Sequence, residues 1–363
     1  MKQSQLPKYL QLKQEILSWL KSEQLKPGDQ MPSENEIAGK FQMSRQTVRQ
    51  TFGELEQEGW LYRMQGKGTF VSTPKVNKGL EKNTIGMITT SITDYIFPHI
   101  VKGAEAALRE QGFSMLLSST DNNKEKEGES LKTMIGQPLS GLIIEPTKSS
   151  QGNPNLNFYL SLENKQIPYL MINARYPEID CPTITVEDEA GTFLGTEHLI
   201  QYGHKRIAGF FKTDDMQGVK RLRGFLRAHQ HYKLALMPNA VVQYITEEKK
   251  VKPFDIALAM LKLPINERPT AFVCYNDELA VSLLEAIRQA GLSVPADVSV
   301  VGFDDSSLAT ATEVKLTTLS HPKAEMGKKA AEMLLKMIES KNKKVEDVVY
   351  TTELIIREST RKI

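Results

Sequence analysis

From residue 84 onward, short runs that are apolar on successive residues alternate with longer stretches of helical periodicity. The apolar runs read "TIGMIT", "FSMLLSS", "GLIIEP", "PYLMIN", "RIAGFF", "TAFVCYN" and "VSVVGFD", and the helical stretches include 98–111, 189–202, 217–231 and 277–290. Strands that are apolar on both faces belong in a parallel sheet that helices cover on both sides. The pattern therefore predicts a doubly wound α/β domain over 84–363, and its length favours two lobes.

The first 71 residues follow a different pattern, with three amphipathic helices and a short hairpin. Helical spacing of apolar residues covers 8–22, a second helix starts at Ser33 and a third starts at Ser44. The runs "WLYRM" and "TFV" read as two strands joined by "QGKG". This order predicts a small winged helix-turn-helix domain over residues 1–71, followed by a polar linker over 72–83.

Composition and charge exclude several classes of protein. Only Cys181 and Cys274 occur, in no CxxC or Cys/His pattern, so neither a disulfide framework nor a structural zinc site is expected. The N-terminus has no apolar signal region and no run approaches the ~20 apolar residues of a membrane span, which favours a cytoplasmic protein without a membrane partner. Residues 1–78 hold 12 Lys and Arg against 8 Asp and Glu, a balance of +4 in a chain of net charge +2. The first domain is therefore the more basic one, a weak indication of nucleic acid.

The third predicted helix carries two arginines one turn apart. Arg45 and Arg49 share a face with Gln46 beside them. The opposite, packed face is formed by apolar residues at helical spacing: Val48, Phe52 and Leu55. The first residues of the second helix in a helix-turn-helix reach base edges in the major groove, where an arginine fork pairs with guanine. The alternative is an amphipathic helix whose charges simply face water.

The surrounding sequence resembles the DNA-binding domain of the GntR family of bacterial repressors. The matching stretches "LPKYLQLKQEI", "MPSENEIA" and "MSRQTVRQTFGELEQEGWLYRMQGKGTFV" cover residues 6–71 nearly without gaps. The resemblance implies that Arg45, Gln46 and Arg49 read bases, while the wing touches the minor groove or the backbone. One departure is Thr51, where that family commonly has alanine. The DNA-binding residues expected are Lys8, Ser33, Glu34, Ser44, Arg45, Gln46, Thr47, Arg49, Gln65, Gly66 and Lys67.

The large domain carries polar side chains where its predicted strands end, which is where open parallel sheets bind ligands. Carboxylates, amides, arginines and a few aromatics suit a polyol, because each sugar hydroxyl both donates and accepts. The alternative is that Asp or Asn after a strand only caps a helix or forms a turn, and it fits Asp188, Asp277 and Asp305 best. His204 is expected to be a loop residue. The residues at the strand ends are Ser91, Asp94, Tyr95, Phe97, Glu145, Lys148, Asn173, Arg175, Asp188, Arg221, Asn276, Asp277, Asp304 and Asp305.

Residues 84–358 resemble the effector-binding domain of the LacI/GalR repressors, itself similar to periplasmic sugar-binding proteins. The matching stretches are "HLIQYGHKRIAGF", "GVKRLRGF", "TAFVCYNDELAVSLLEAIRQAGLSVPADVSVVGFDD" and "LTTLSHPKAEMGKKAAEML". The resemblance implies sugar or base binding at Arg221, Asn276 and Asp304. The chain departs from that family at its N-terminus, where the GntR type replaces the short helix-turn-helix and hinge helix, so the route of the signal to DNA is not carried over.

Four further stretches resemble repressors that combine these two domains: "TDYIFP", "GLIIEPTKS", "MINARY" and "DDMQGVKR". That resemblance implies L-arabinose as the effector, whereas the residue types alone suit several sugars. The effector-binding residues expected are Asp94, Tyr95, Phe97, Glu145, Lys148, Asn173, Arg175, Arg221, Asn276 and Asp304.

An enzyme would need a nucleophile, an acid–base pair, a metal or a cofactor, and the sequence has none of the usual motifs. It lacks G-x-G-x-x-G after a strand, G-x-x-x-x-G-K-[ST], G-x-S-x-G and H-E-x-x-H. The strand-end carboxylates would suit a glycosidase only if the winged helix were idle. We expect no catalytic residue, cofactor or metal, and a repressor that binds double-stranded operator DNA as a homodimer and is released by sugar. Open alternatives are another sugar, a purine or other small molecule, and a ligand required for DNA binding.

Overall fold

The computed structural model describes residues 8–21, 25–57, 59–64, 67–72, 83–93, 95–339 and 345–363. The chain divides into two compact units, Met1–Glu81 and Lys82–Ile363. Three of the expected site residues, Gln65, Gly66 and Asp94, lie outside the described residues.

The small unit is a three-helix arrangement with a hairpin. Ser33 forms a capping box with Glu36 at the start of the second helix, as the spacing of the two residues predicts. The stripe Val48, Phe52 and Leu55 is fully buried on the third helix and packs against the first two helices. The predicted winged helix-turn-helix is confirmed. Its elements are α1 (Lys8–Lys21), α2 (Glu34–Phe41), α3 (Arg45–Gln57) and the antiparallel strands β1 (Leu61–Met64) and β2 (Gly68–Val71).

The first lobe of the large unit contains a six-stranded parallel sheet in the order β13-β7-β6-β5-β3-β4. Its strands are β3 (Thr84–Thr89), β4 (Ser114–Ser119), β5 (Gly141–Ile144), β6 (Tyr169–Ile172), β7 (Thr183–Val186) and β13 (Val348–Tyr350). Its helices are α4 (Phe97–Glu110), α5 (Lys124–Ile135), α6 (Leu156–Asn164) and α12 (Lys323–Glu339). The strands β3, β5 and β6 are buried along their whole length, as a sheet covered on both faces requires.

The second lobe contains a sheet in the order β14-β12-β11-β10-β8-β9, parallel except for the antiparallel edge strand β14. Its strands are β8 (Ile207–Lys212), β9 (Val241–Tyr244), β10 (Ala271–Cys274), β11 (Ser299–Asp304), β12 (Thr317–Ser320) and β14 (Leu354–Ile355). Its helices are α7 (Asp188–Gln201), α8 (Met216–His231), α9 (Lys252–Leu261), α10 (Asp277–Gln289) and α11 (Leu308–Ala311).

Within the described residues the chain passes between the lobes three times: between β7 and α7, between β12 and α12, and between β13 and β14. These crossovers are bonded to one another. Glu187 N donates to Tyr350 O at 2.9 Å, and Ser320 N donates to Glu353 O at 2.8 Å. The predicted two-lobed, doubly wound fold is confirmed, and three crossovers bonded through these two hydrogen bonds join the lobes.

Each apolar run named in the sequence contains a strand, and the four helical stretches match α4, α7, α8 and α10 within one residue at each end. The described part of the chain contains five further strands that the apolar runs did not predict: β7, β9, β12, β13 and β14. They are short, from two to four residues, and they include Thr-rich runs such as "TITV" and "TTLS" that lack a continuous apolar signal.

The two main helices of the first lobe, α4 and α12, approach through glycines. A Cβ on Gly327 would lie 1.9 Å from Ile100 O, and a Cβ on Gly103 would lie 2.1 Å from Ala324 O. Both contacts are with backbone atoms, which cannot rotate away as a side chain could. The close approach of these helices therefore requires glycine at both positions.

Replacing Gly327 with Ala should force α4 and α12 apart and lower the free energy of unfolding by about 3 kcal/mol or more, the upper range for overpacking. The matched control is Gly152→Ala, because a Cβ at Gly152 meets no atom within 4 Å. Thermal melting of the two variants checks this, and equal melting temperatures would contradict it.

Candidate functional site

The exposed face of α3 carries the side chains expected to read DNA. Arg45, Gln46 and Arg49 are exposed on α3, and Ser44 caps the start of the helix, its Oγ accepting from Thr47 N at 3.1 Å. The Ser44 and Thr47 hydroxyls are also bonded to each other at 2.8 Å. The first turn and a half of α3, capped by Ser44, thus presents two guanidinium groups and one side-chain amide.

Glu34, at the start of α2, sits between two arginines. Its carboxylate accepts from Arg49 Nη2 at 3.0 Å and from Arg63 Nη2 at 3.4 Å, and Arg63 Nε also donates to Glu56 at 3.1 Å. Arg49 is still 70% exposed at its side chain. The carboxylate therefore orients Arg49 on the open face of α3, which makes Glu34 a positioning group within this network.

The remaining expected DNA-binding residues lie around this face with different partners. The Ser33 hydroxyl accepts from Glu36 N at 3.3 Å and so caps α2. Lys8 at the start of α1 is exposed, as is Lys67 next to β2, whose carbonyl accepts from Gln30 Nε2 at 2.8 Å. Thr51, the departure from the family pattern, is buried on the inner side of α3 and donates to Thr47 O at 2.9 Å, away from the exposed arginines.

A cavity of about 490 Å³ lies between the two lobes of the large unit, where the strands of both sheets end. Seven of the expected effector residues line it: Tyr95, Phe97, Glu145, Asn173, Arg221, Asn276 and Asp304. Further lining residues include Thr90, Ser91, Lys212, Asp215, Tyr244 and Tyr275. This volume lies within the range of small-molecule sites, and its wall is unusually rich in charged and hydroxyl groups.

Arg221 is 1% exposed and has a partner on every side of its guanidinium. Its Nε donates to Asp188 Oδ1 at 2.9 Å, its Nη1 to Tyr275 O at 2.6 Å and its Nη2 to Asp304 Oδ1 at 3.1 Å. The guanidinium also lies 3.6 Å from the centre of the Phe303 ring. Burial by itself would lower the pKa of Arg221, but the two carboxylates raise it above its usual range, so the group stays charged.

Tyr95 and Asn276 line the cavity, and each also uses a polar side-chain atom in a hydrogen bond to another group of the protein. Tyr95 crosses from the first lobe and donates its hydroxyl to Asp304 Oδ2 at 2.6 Å. Asn276 caps α10, because its Oδ1 accepts from Leu279 N at 2.9 Å. The capping alternative considered for such residues is therefore correct for Asn276, and it does not remove the residue from the wall of the cavity.

Glu145 is a buried acidic group of the first lobe at the cavity. Its carboxylate accepts from Thr90 N at 2.8 Å, from Thr90 Oγ1 at 2.7 Å and from Asn173 Nδ2 at 2.9 Å. Burial raises the pKa of Glu145, although these hydrogen bonds oppose the shift. Asn173 is in turn 3.3 Å from His321 Nε2, and burial lowers the pKa of that histidine to about 4, so the ring is neutral near pH 7.

Sequence reasoning missed a second charged group in the wall, around Lys212 at the end of β8. Lys212 Nζ donates to Asp215 Oδ2 at 2.9 Å and lies 3.4 Å from Asp214 Oδ1. Asp215 also accepts from Tyr275 Oη at 2.9 Å and caps α8. A lysine at the end of the run "RIAGFFK", followed by two aspartates, is the signal that could have identified this group.

Two expected effector residues, Lys148 and Arg175, are not among the described residues that line the cavity. Lys148 forms an ion pair with Glu247 of the other lobe, and its backbone N donates to Asn122 Oδ1 at 3.0 Å. Arg175 pairs with Asp347 at 3.2 Å on the far side of β7. The position of these two residues after strands predicted a role at the site, but their long side chains turn toward carboxylates elsewhere.

The three aspartates that fitted a structural role best have different surroundings. Asp277 accepts from Thr318 Oγ1 at 2.6 Å and from Ser306 N at 2.8 Å, and Asp305 pairs with Arg357 at 2.6 Å. Asp188 instead holds Arg221, so it belongs to the site although it does not line the cavity. Burial raises the pKa of Asp188 to about 6 and that of Asp277 to about 7.

His204 is a buried loop residue bonded to Thr270 and to the backbone of Arg361, as expected. Among the described residues, no group of three or more His, Cys, Asp or Glu side chains is arranged to hold a metal ion. No described helix combines the length and the apolar character needed to cross a membrane.

Comparison with known proteins matches both units. Residues 8–71 match the bacterial regulatory proteins of the gntR family, and residues 196–360 match the periplasmic binding protein-like domain. The chain is 62% identical to the arabinose metabolism transcriptional repressor of Geobacillus stearothermophilus, with 100% of each chain covered. It is 44% identical to the repressor of the same name from Halalkalibacterium halodurans, covering 97% of this chain and 96% of that one.

The chain belongs to the family of arabinose metabolism transcriptional repressors. It is a regulator and not an enzyme. The large unit of the repressor is also similar to a solved structure, a LacI family transcriptional regulator from Enterococcus faecium with bound ribose. The two are 25% identical with a TM-score of 0.67, and the match covers 77% of this chain and 99% of that chain.

The buried carboxylate of Asp277 should make the stability of the repressor depend on pH. Its pKa is about 7 in the folded protein against an ordinary value of 3.8, so the folded state binds the proton more tightly. The stabilisation present at pH 5 is lost as the pH rises through 7, by about 2–3 kcal/mol. The Asp277→Asn variant has no carboxyl group at this position to ionise. Its free energy of unfolding, relative to that of the wild type, should therefore increase by about 2–3 kcal/mol between pH 5 and pH 8.

Urea unfolding at the two pH values, followed by circular dichroism, measures this difference. The control is Asp297→Asn, because the pKa of Asp297 is lowered by its bonds to Ser293 and both states are ionised from pH 5 to pH 8. If the free energies of unfolding of the wild type and Asp277→Asn differ by the same amount at both pH values, the Asp277 carboxyl of the wild type does not titrate in this range.

Proposed function

We propose that the protein is a homodimeric repressor that binds operator DNA through the winged helix of each copy and is released when L-arabinose binds between the lobes. The observation that carries the effector part is the buried Arg221, held in the wall of a polar cavity by Asp188 and Asp304. Arabinose as the effector is supported by the names of the two full-length relatives.

The DNA-binding part is supported by the exposed face of α3. Arg45, Gln46 and Arg49 are exposed at the start of α3, outside its buried stripe, where the first residues of a recognition helix reach base edges. The hydroxyls of Ser44 and Thr47 at the helix start suit phosphate oxygens. Two copies related by two-fold symmetry would present two such helices to the half-sites of a palindromic operator.

The effector part is supported by the mixture of groups around the cavity. Arg221 and Lys212 donate, Glu145 and Asp304 accept, and Asn276 offers an amide. Such a set can satisfy hydroxyls that each donate and accept, and a sugar would bury its apolar C–H face against an aromatic ring such as Phe97.

The proposed release mechanism needs only a difference in affinity. The sugar contacts residues of both lobes, so it binds the closed form more tightly than an open form. Closure of both copies then favours a dimer in which the two winged helices no longer fit the operator together. A coupling of about 1–3 kcal/mol between the sugar and DNA sites is typical of such switches.

The test is fluorescence anisotropy of the full-length protein on labelled DNA from upstream of its own gene, at one fixed salt concentration because phosphate contacts make affinity salt-dependent. L-arabinose, D-xylose, D-galactose and D-ribose are titrated into the complex. Release by L-arabinose alone supports the proposal. Release by another sugar replaces the effector, and binding that requires a sugar reverses the direction of the switch.

Arg221→Lys should retain operator binding and lose most of the response to sugar, because lysine keeps the charge but not the planar fork that bridges the two carboxylates. The matched control is Arg223→Lys on the same helix, which is 72% exposed and should respond as the wild type does. The concentration of L-arabinose that releases half of the DNA measures both. A wild-type value for Arg221→Lys would contradict this assignment of the site.

Arg45→Ala should weaken operator binding by about tenfold or more, the effect of losing one bidentate base contact, and leave sugar binding unchanged. Lys132→Ala is the control for charge, since it removes an equal charge from the exposed face of α5 in the large unit. Anisotropy measures the DNA affinity and titration calorimetry the sugar affinity. Equal losses of DNA affinity in the two variants would mean that Arg45 makes no specific contact.

A further inference from the structure

The turn at the end of β11 places two consecutive aspartates, Asp304 and Asp305, in the left-handed region of the backbone. Asp304 has φ +95° and Asp305 has φ +43°. This backbone conformation is unfavourable for residues other than glycine, and it persists only where surrounding contacts hold it. Because the carboxylate of Asp304 is an effector ligand in the proposed function, the contacts that hold this turn decide where that ligand points.

The first contact is an ammonium group from the opposite lobe. Lys323 Nζ donates to Asp304 O at 2.7 Å and to Asp305 O at 2.8 Å, and so binds the two consecutive carbonyls of the turn. Lys323 is the first residue of α12, which packs on the sheet of the first lobe, whereas the turn belongs to the second lobe. Hydrogen bonds from a charged donor are roughly twice as strong as those between neutral groups.

The second contact is a phenol, also from the first lobe. The hydroxyl of Tyr95 lies 2.6 Å from Asp304 Oδ2 and 2.9 Å from Phe303 O, and it accepts from Asp277 N at 3.1 Å. Burial and the neighbouring Asp304 carboxylate raise the pKa of Tyr95 well above its usual value, so the phenol keeps the proton that it donates. Tyr95 itself has φ +69°, an unfavourable conformation for an aromatic residue.

Together these contacts leave the Asp304 carboxylate with a defined orientation. One oxygen is bonded to Arg221 within its own lobe, and the other is bonded to Tyr95 across the cleft. The backbone behind it is bonded to Lys323, also across the cleft. Each carboxylate oxygen has two lone pairs, so a sugar hydroxyl can still approach without displacing these partners.

We propose that Tyr95 and Lys323 are positioning residues for the effector, which hold the Asp304 carboxylate in its sugar-binding orientation from the opposite lobe. The inference rests on the proposed function and extends it. Since the two residues reach Asp304 across the cleft, closure of the lobes completes the sugar site, and a sugar that bonds Asp304 stabilises the closed form. Lys323 need not touch the sugar for this coupling.

The test is isothermal titration calorimetry of the full-length protein with L-arabinose. Lys323→Met removes the ammonium at similar length and should weaken sugar binding by about tenfold, as expected for lost charge-assisted hydrogen bonds. Lys323→Arg keeps a cationic donor for both carbonyls and should stay within about threefold of the wild type. The matched control is Lys328→Met, an exposed lysine on the same helix, which should bind as the wild type does.

Tyr95→Phe is the second variant, because it removes one oxygen and keeps the ring that lines the cavity. It should weaken sugar binding by about five- to tenfold, as the loss of a hydrogen bond to a charged acceptor does. In both variants the number of sites per chain should stay at the wild-type value. A purely structural defect would instead lower the number of sites and leave the affinity of the folded fraction unchanged.

Wild-type affinity in Lys323→Met or in Tyr95→Phe overturns the inference. So does a Lys323→Arg variant that is as weak as Lys323→Met, because the cationic donor would then have no role. If the wild type binds D-xylose, D-galactose or D-ribose in place of L-arabinose, the effector changes and the same differences are expected with that sugar. A wild type that binds none of the four overturns the inference together with the proposed sugar site.

Discussion

The large unit of this repressor is organised around one buried positive charge. Removing a guanidinium from water is strongly unfavourable unless carboxylates and hydrogen-bond acceptors replace the water. Arg221 meets that requirement with Asp188 at the crossover between the lobes, Asp304 at the end of β11 and the carbonyl of Tyr275 after β10. Satisfying one arginine therefore fixes three chain segments at the centre of the cleft.

The two units use arginine in opposite ways. Arg221 is buried and bonded on all sides, which suits a fixed wall against which a small polar ligand can be selected. Arg49 is mostly exposed and forms an ion pair with one carboxylate, that of Glu34. Such a pair suits a side chain that must exchange partners when DNA binds. The difference in burial is what separates a preorganised pocket from an adaptable binding face.

Most of the fold could be predicted because its strands and helices have strong periodicity, and the stripe Val48, Phe52 and Leu55 lies on α3 as its spacing indicates. Site residues were harder. Position after a strand identified Glu145 and Asp304 correctly as cavity residues, but it could not show that Lys148 and Arg175 turn toward Glu247 and Asp347, since long side chains choose partners that are distant in sequence. Lys323 and Lys212 were missed for the same reason, because only the folded chain brings them to the carbonyls and carboxylates that they bind.

The central claim is that a sugar binds between the lobes, in the cavity whose wall contains the buried Arg221. A crystal structure of the full-length protein grown with L-arabinose tests it most directly. We predict density for the sugar in the cavity, with hydroxyls within hydrogen-bond distance of Arg221, Asn276 and Asp304, and with the bond between Asp304 and Tyr95 retained. A cavity without sugar at saturating concentration, or a sugar bound elsewhere on the chain, would contradict the account.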